Sequence, residues 1–311
     1  MARYVMSRLI QFVFVVFAAG AVVFVAVYVV SDPVRSMLPV GTPPDVVDQT
    51  RASLGLDRPL LEQLGHFMKG AITGDFGDSL WLGEPALGAV LDRVPATALL
   101  ALTASLVGGL LGAIVGITVA LNPGSKLDSM VQVTTYASIS IAEFWLGLLL
   151  VVVFAARLGW LPTSGFDSPQ SLVLPVVALG IRPFAHTVQV MRSAMLQEAT
   201  KQYVVTARAN GLTELSISLR HKLRNAASPV ITVFMYDLGR VFVGTAVVIE
   251  VVFAWPGIGQ LAVGGLERGD IFLVQAIVFV AAVITGGLNL VADLLYFALD
   301  PRTRALVGEA R

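Results

Sequence analysis

The feature that most limits what this chain can fold into is the recurrence of long apolar runs with few or no charges. Leu9 to Val30 and Thr97 to Leu121 contain no Asp, Glu, Lys or Arg. As helices, both are long enough to cross a hydrocarbon core of roughly 30 Å. Val131 to Ala156, Leu172 to Met191, Val230 to Phe253 and Ile271 to Ala292 supply four more candidates. Hydrophobic residues make up 56% of the 311, charged residues only 14%, and the mean hydropathy is +0.80. That balance argues against a soluble multi-domain protein. The pattern predicts an all-α membrane protein with six transmembrane helices.

Charge placement orients the spans. Arg3 and Arg8 precede the first run and hold the N-terminus inside. A cleaved signal peptide would begin in the same way. However, this run is longer than a signal core, and Val-Val-Ser-Asp-Pro offers no small-x-small cleavage site, so it reads as a retained first span. Residues 31–96 form an external segment divided by prolines and richer in acids than in bases, with short helices expected at Asp45 to Leu56 and Pro59 to Ile72. The expected organisation is therefore residues 1–30 as cytoplasmic N-terminus and first span, 31–96 outside, and 97–299 as a five-helix core. That core contains a cytoplasmic loop at 192–229, and residues 300–311 form a cytoplasmic tail. Gly108, Gly112 and Gly116 recur every four residues and give one helix a flat face for close packing.

The loop is a polar island between apolar runs. From Gln197 to Pro229 it carries Lys201, Arg208, Arg220, Lys222 and Arg224 against Glu198 and Glu214, the bias of a cytosolic loop. Gln202 to Asn210 favours helix and meets Gly211, which adopts the left-handed conformation most easily. Thr213 is placed to cap a second helix, with Glu214 at its positive end and Arg220, His221 and Lys222 toward its negative end. Two short helices pinned at a glycine make a rigid element suited to docking on a cytosolic partner.

Tyr203-Val-Val-Thr-Ala207-Arg-Ala-Asn-Gly211-Leu, followed by Leu219-Arg-His-Lys-Leu-Arg-Asn225 and Pro229, resembles the coupling loop of the inner-membrane permeases of ABC importers, in their dipeptide/oligopeptide/nickel branch. Leu54-Gly-Leu-Asp-Arg-Pro-Leu, Gly74-Asp-Phe-Gly-Asp-Ser, Arg93-Val-Pro-Ala-Thr and the terminal Asp-Pro-Arg are similar to the same branch, so the likeness covers nearly the whole chain. It implies an ABC importer permease fold in the bacterial plasma (inner) membrane, multi-pass, with both termini cytoplasmic. It also implies ATPase coupling through Tyr203, Thr206, Ala207, Arg208, Asn210, Gly211, Leu212, Arg220 and His221, with Ala207 as a close contact. The implied partners are a second homologous permease, two ABC ATPase subunits, an external solute-binding protein and membrane lipid. Ala254-Trp-Pro-Gly-Ile-Gly259 resembles the family's outer-gate loop, which makes Glu250, Trp255, Pro256 and Gly257 gate candidates. Val205 and Thr206 depart from the Glu and Ala of the broader motif, and Lys201-Gln202 from its Gln-Asp.

Charged side chains inside spans cost about 2.5–3.5 kcal/mol each on insertion scales and commonly face a bundle interior, a partner or a water-filled path. Arg182, His186, Asp237 and Arg240 are the pathway candidates. Arg182 and His186 lie one helical turn apart, so something anionic or aqueous is expected opposite them. Asp237 and Arg240 are spaced to pair with each other, and such a pair by itself needs no substrate to explain it. Glu143 interrupts its own span.

Several classes of function are disfavoured. Lys+Arg and Asp+Glu number 21 each, so no basic excess points to nucleic acid. There is no cysteine, and His66 and His221 have no accompanying ligands, so no metal site is expected. Without a Gly-x-x-x-x-Gly-Lys-Ser/Thr run the chain binds no cofactor itself, and ATP with Mg belongs on partner ATPases. Neither His-Glu-x-x-His nor Gly-x-Ser-x-Gly occurs, so no enzyme is expected. The expected function is peptide import, with nickel, heme or another small solute as alternatives, and a stand-alone secondary transporter or channel as a more distant one. No internal repeat supports that last reading.

Overall fold

A computed structural model describes residues 2–30, 34, 38, 41–53 and 55–299. The expected tail at 300–311, with its Asp-Pro-Arg ending, lies outside these residues, as do the prolines at 33 and 39. The described chain is helical. In order it forms α1 (Ala2–Val30), α2 (Pro44–Ser53), α3 (Leu60–Thr73), α4 (Ala86–Leu121), α5 (Lys126–Ser140), α6 (Glu143–Leu150), α7 (Val173–Ala199), α8 (Gln202–Ala209), α9 (Glu214–Ile217), α10 (Leu223–Arg240), α11 (Ala246–Val252), α12 (Ile258–Glu267) and α13 (Ile271–Leu299). Among the described residues, four helices are long and apolar enough to cross a membrane, or five if the bent pair Lys126–Ser140 and Glu143–Arg157 counts as one span. The fifth expected span, Val230 to Phe253, is helical to Val252, but α10 carries Arg224, Asp237 and Arg240 and does not meet that test.

The chain divides into two compact units. The first holds residues 1–97 and 256–290. Leu60 starts α3 directly after Pro59, and Gly74 ends it at φ 77°, where a left-handed residue lets its N–H return to the Gly70 carbonyl at 2.7 Å. A chain of rings, Phe24, Phe67, Phe76 and Phe279, with centroids 5.2–5.9 Å apart, forms its aromatic core. Buried Asp270 accepts from the Ser79 hydroxyl at 2.6 Å, Trp81 N–H at 3.0 Å and Leu273 N–H at 3.0 Å, which fixes the 77–85 loop to the turn before α13.

The second unit holds residues 98–255 and 291–311. Its central helix is α7, which packs against α5, α6, α10 and α11. The flat face expected on α4 is used by α7: a Cβ on Gly112 would stand 2.6 Å from the Phe184 carbonyl oxygen, and one on Gly108 would strike the Gly180 carbonyl.

Three boundaries differ from the sequence expectation. Helix α4 begins at Ala86, ahead of Thr97, and carries Pro95 inside it. The span expected from Val131 to Ala156 is broken at Ile141 and Ala142, both extended, and its halves meet at 100°. The Ser138 and Ser140 hydroxyls bond back to the Thr134 and Tyr136 carbonyls just before the break, a contact that competes with helix continuation. Pro229 lies within α10 rather than closing a loop. From Glu214 to Val252 the chain stays helical, through wider π-type turns at Ser218–Lys222 and Val241–Thr245.

Candidate functional site

The segment from Lys201 to Lys222 folds as a helix, a turn and a helix. Gly211 sits at φ 78°, and the Leu212 N–H returns to the Ala207 carbonyl at 3.2 Å, so a glycine conformation closes α8. The Thr213 hydroxyl accepts from Ser216 N–H and caps α9. Val204, Ala207 and Ile217 are buried together, with Tyr203 packed beside them. Ala207 therefore points inward. Its small side chain lets the two helices of this element approach each other. The outward surface is made instead by Val205 (58% exposed), Leu212 (43%), Leu215 (57%) and Leu219 (48%). Thr206, Arg208, Asn210, Gly211, Arg220 and His221 are also exposed.

Two polar clusters stiffen this element. Glu214 binds Arg208 on α8 and, at 3.2 Å, Lys222 in the following turn. The Arg208 hydrogen bond holds the Glu214 carboxyl below the usual range; burial opposes it, and Lys222 adds to the lowering. On the other side Tyr203 donates to Glu198, and the Asn225 amide reaches Tyr203 Oη at 3.2 Å, joining the end of α7 to α8 and α10. Burial, then the neighbouring Glu198, pushes the Tyr203 phenol up.

The pathway candidates converge on one cluster. The Glu143 Oε1 accepts from Arg182 Nε at 2.9 Å and from Arg240 Nη2 at 2.9 Å. The His186 Nδ1 lies 3.0 and 3.1 Å from the Asp237 carboxylate oxygens, which puts the ring proton on Nδ1. Arg240 Nε is 3.9 Å from Asp237. The expected Asp237–Arg240 pair thus exists only as a long contact; the closer partner of each comes from another helix. The acids expected opposite Arg182 and His186 are Glu143 and Asp237.

Of the gate candidates, Glu250 and Trp255 are buried in the second unit. Trp255 N–H donates to the Glu250 carbonyl at 2.8 Å, and its ring meets Phe166 edge-on at 4.7 Å. Ala254 turns the chain there at φ 47°. In the first unit, Pro256 precedes Gly257, which caps α12, and Ile258 N–H donates to Thr97 Oγ1 at 2.9 Å.

Sequence reasoning left several participants outside the candidate set. Glu143 was legible as a charge inside its span, expected to face a bundle interior, a partner or a water-filled path, but not as the shared partner of Arg182 and Arg240. The buried Asp128, held by Arg192, was masked by its position in a short turn whose visible signal is the Ser125 cap. Among the described residues no group of three His, Asp or Glu gathers as a metal requires.

Long apolar helices, an exposed helix–turn–helix and a charge cluster held between helices are the features of a helical membrane protein. The chain belongs to the family of binding-protein-dependent transport system inner membrane components, the permeases of ABC importers, which it matches over residues 108–305, with the N-terminal component of such systems matched over residues 1–101. It is 34% identical over 305 residues to the glutathione transport system permease protein GsiC of Escherichia coli, with 98% of this chain and 99% of the relative covered. The protein of that name from Shigella dysenteriae serotype 1 is similar to the same degree. A solved structure of the MetNI methionine ABC transporter in an inward-facing conformation shares the fold, with a TM-score of 0.58 at 20% identity, over 68% of this chain and 96% of the other.

Proposed function

We propose that the chain is one of two permease subunits of an ATP-driven importer for glutathione-like or other small peptide solutes, forming half of the translocation pathway in the inner membrane. On this reading the chain crosses the membrane six times, both termini are cytoplasmic, and the Lys201 to Lys222 element seats in a cytosolic ATPase. Two ATPase subunits bind ATP and Mg, a second permease completes the pathway, and an external binding protein delivers the solute. This chain performs no chemistry of its own.

The observation that carries the proposal is the row of exposed apolar side chains, Val205, Leu212, Leu215 and Leu219, on an otherwise polar element. These side chains are already about half buried, so covering what remains with a partner is worth about 1 kcal/mol for each. The braces from Glu198 through Tyr203 to Asn225 tie this element to α7 and α10, so a push on it reaches the helices that carry the charge cluster. The glutathione permeases cited above support a peptide-like solute.

The test is to purify the tagged chain from native membranes in mild detergent and identify what accompanies it. Two ATP-binding chains and a second permease are expected. Recovery of the chain alone, still moving solute after reconstitution, would sink the importer reading.

A further inference from the structure

Resting on that reading, we propose that Arg182 and Arg240 form a subsite for a carboxylate of the transported solute, which Glu143 fills as the chain's own surrogate when no solute is bound. The class of solute is a small molecule that carries a free carboxylate.

The first argument is how the donors are used. Both guanidinium groups bond to one oxygen, Oε1, while Glu143 Oε2 is buried without a partner. Guanidinium groups are built for two parallel bonds to a carboxylate, yet Arg240 Nε makes no hydrogen bond and stands 3.9 Å from Asp237. Donor and acceptor capacity is therefore left over on both sides.

The second argument is exposure. The side chains of Arg182, Arg240 and His186 are 27%, 26% and 27% accessible, whereas Glu143 and Asp237 are 5% and 0%. The two guanidinium groups and the two carboxylates balance in charge, but the accessible side chains are the guanidinium groups and the imidazole. Mutual pairing of buried ions accounts for the contacts; it does not account for the unused acceptor or for this division by sign.

The third is position. Glu143 is the first residue of α6, directly after the 100° break. The start of a membrane half-helix carries the positive end of its dipole and favours negative charge. An incoming carboxylate exchanges with one already held by the same two cations.

The test uses the permease complex as purified, in nanodiscs without nucleotide, titrated with glutathione and with its diethyl ester, the same skeleton with its carboxylates esterified. Wild type should bind glutathione at least about tenfold more tightly than the ester. Arg182→Gln should weaken glutathione by about ten- to hundredfold and bring the two ligands level. Glu143→Gln should tighten glutathione, because the surrogate no longer competes with full charge. Arg182→Gln leaves Glu143 bonded to Arg240 at 2.9 Å, and an affinity for the ester unchanged from wild type separates lost carboxylate binding from lost folding. Unchanged discrimination in Arg182→Gln, or weaker glutathione binding in Glu143→Gln, would overturn the subsite. ATP-dependent uptake by the same wild-type complex reconstituted into sealed proteoliposomes is read separately; its absence would count against the importer itself, whichever way the binding ratios fall.

Discussion

Arg192 grips Asp128 through two parallel hydrogen bonds, Nε to Oδ1 at 2.6 Å and Nη2 to Oδ2 at 2.7 Å. Asp128 is also held by Gly124 N–H at 2.9 Å and Gln132 at 3.0 Å, and it is 1% exposed. The first turn of α5 is thereby bolted to the last turns of α7, just before the chain leaves for the helix–turn–helix. Breaking a buried pair by removing one partner costs about 3–5 kcal/mol because the other charge is stranded. Asp128→Ala should lower the unfolding temperature of the solubilised protein by several degrees, and Arg192→Lys, which keeps charge but loses the fork, should fall in between. Equal melting of all three proteins would show that the pair holds nothing.

The glycines of α4 separate packing from backbone flexibility. Alanine at Gly112 meets the Phe184 carbonyl oxygen at 2.6 Å and Thr187 Cβ at 2.9 Å, so α4 and α7 must move apart. Overpacking of this kind costs about 1–3 kcal/mol. Gly287, inside α13, has nothing within 4 Å of its would-be Cβ. Gly287→Ala should be neutral or stabilising, while Gly112→Ala and more strongly Gly108→Val should reduce the folded protein recovered from membranes. Similar recovery of the Gly112 and Gly287 variants would exclude close helix packing as the reason for the glycine repeat.

Where these elements lie was legible in the sequence to the extent that the signal is local. Charge-free runs give helices, Gly211 gives the left-handed turn, and Thr213 gives the cap, because each depends on residues within about one helical turn. The charge cluster is different. Glu143 is 39 residues from Arg182 and 97 from Arg240. Spacing along one helix suggested Asp237 with Arg240, the longest of these contacts. Ala207 was recognisable as small, but only the fold reveals that its side chain points at Ile217. The break at Ile141 and Ala142 was hidden because an apolar run reads the same whether its helix is straight or bent.

The Glu214 bridge makes the helix–turn–helix sensitive to acid. Its folded carboxyl titrates below the ordinary glutamate value because Arg208 and Lys222 favour the ionised form. The stabilisation it supplies is therefore complete above about pH 4.5, the ordinary value, and is lost as the pH falls through the depressed one. Corrected amide exchange over residues 202–217 should show less protection at pH 4 than at pH 7. Glu214→Gln should be less protected at pH 7 and should not show the step. A step that persists in the variant would assign the acid sensitivity to another group.

Gly211 offers the cleanest separation of folding from coupling. A Cβ added there meets nothing within 4 Å, so substitution is penalised only through the backbone at φ 78°. An ordinary L-residue loses about 1–2 kcal/mol in that conformation. Proline is worse: its ring fixes φ near −65°, and it removes the N–H that Gly211 donates to the Arg208 carbonyl at 2.9 Å. Asparagine tolerates the left-handed region best among the alternatives. Gly211→Pro should therefore displace α8 from α9 and reduce ATP-driven uptake by about tenfold or more, which corresponds to about 1.4 kcal/mol or more. Gly211→Asn should retain most of the flux. Both chains should reach the membrane at wild-type levels, since neither change touches a span. Wild-type uptake by Gly211→Pro at normal abundance would mean that the turn does not transmit force, and the coupling role of residues 203–212 would have to be given up.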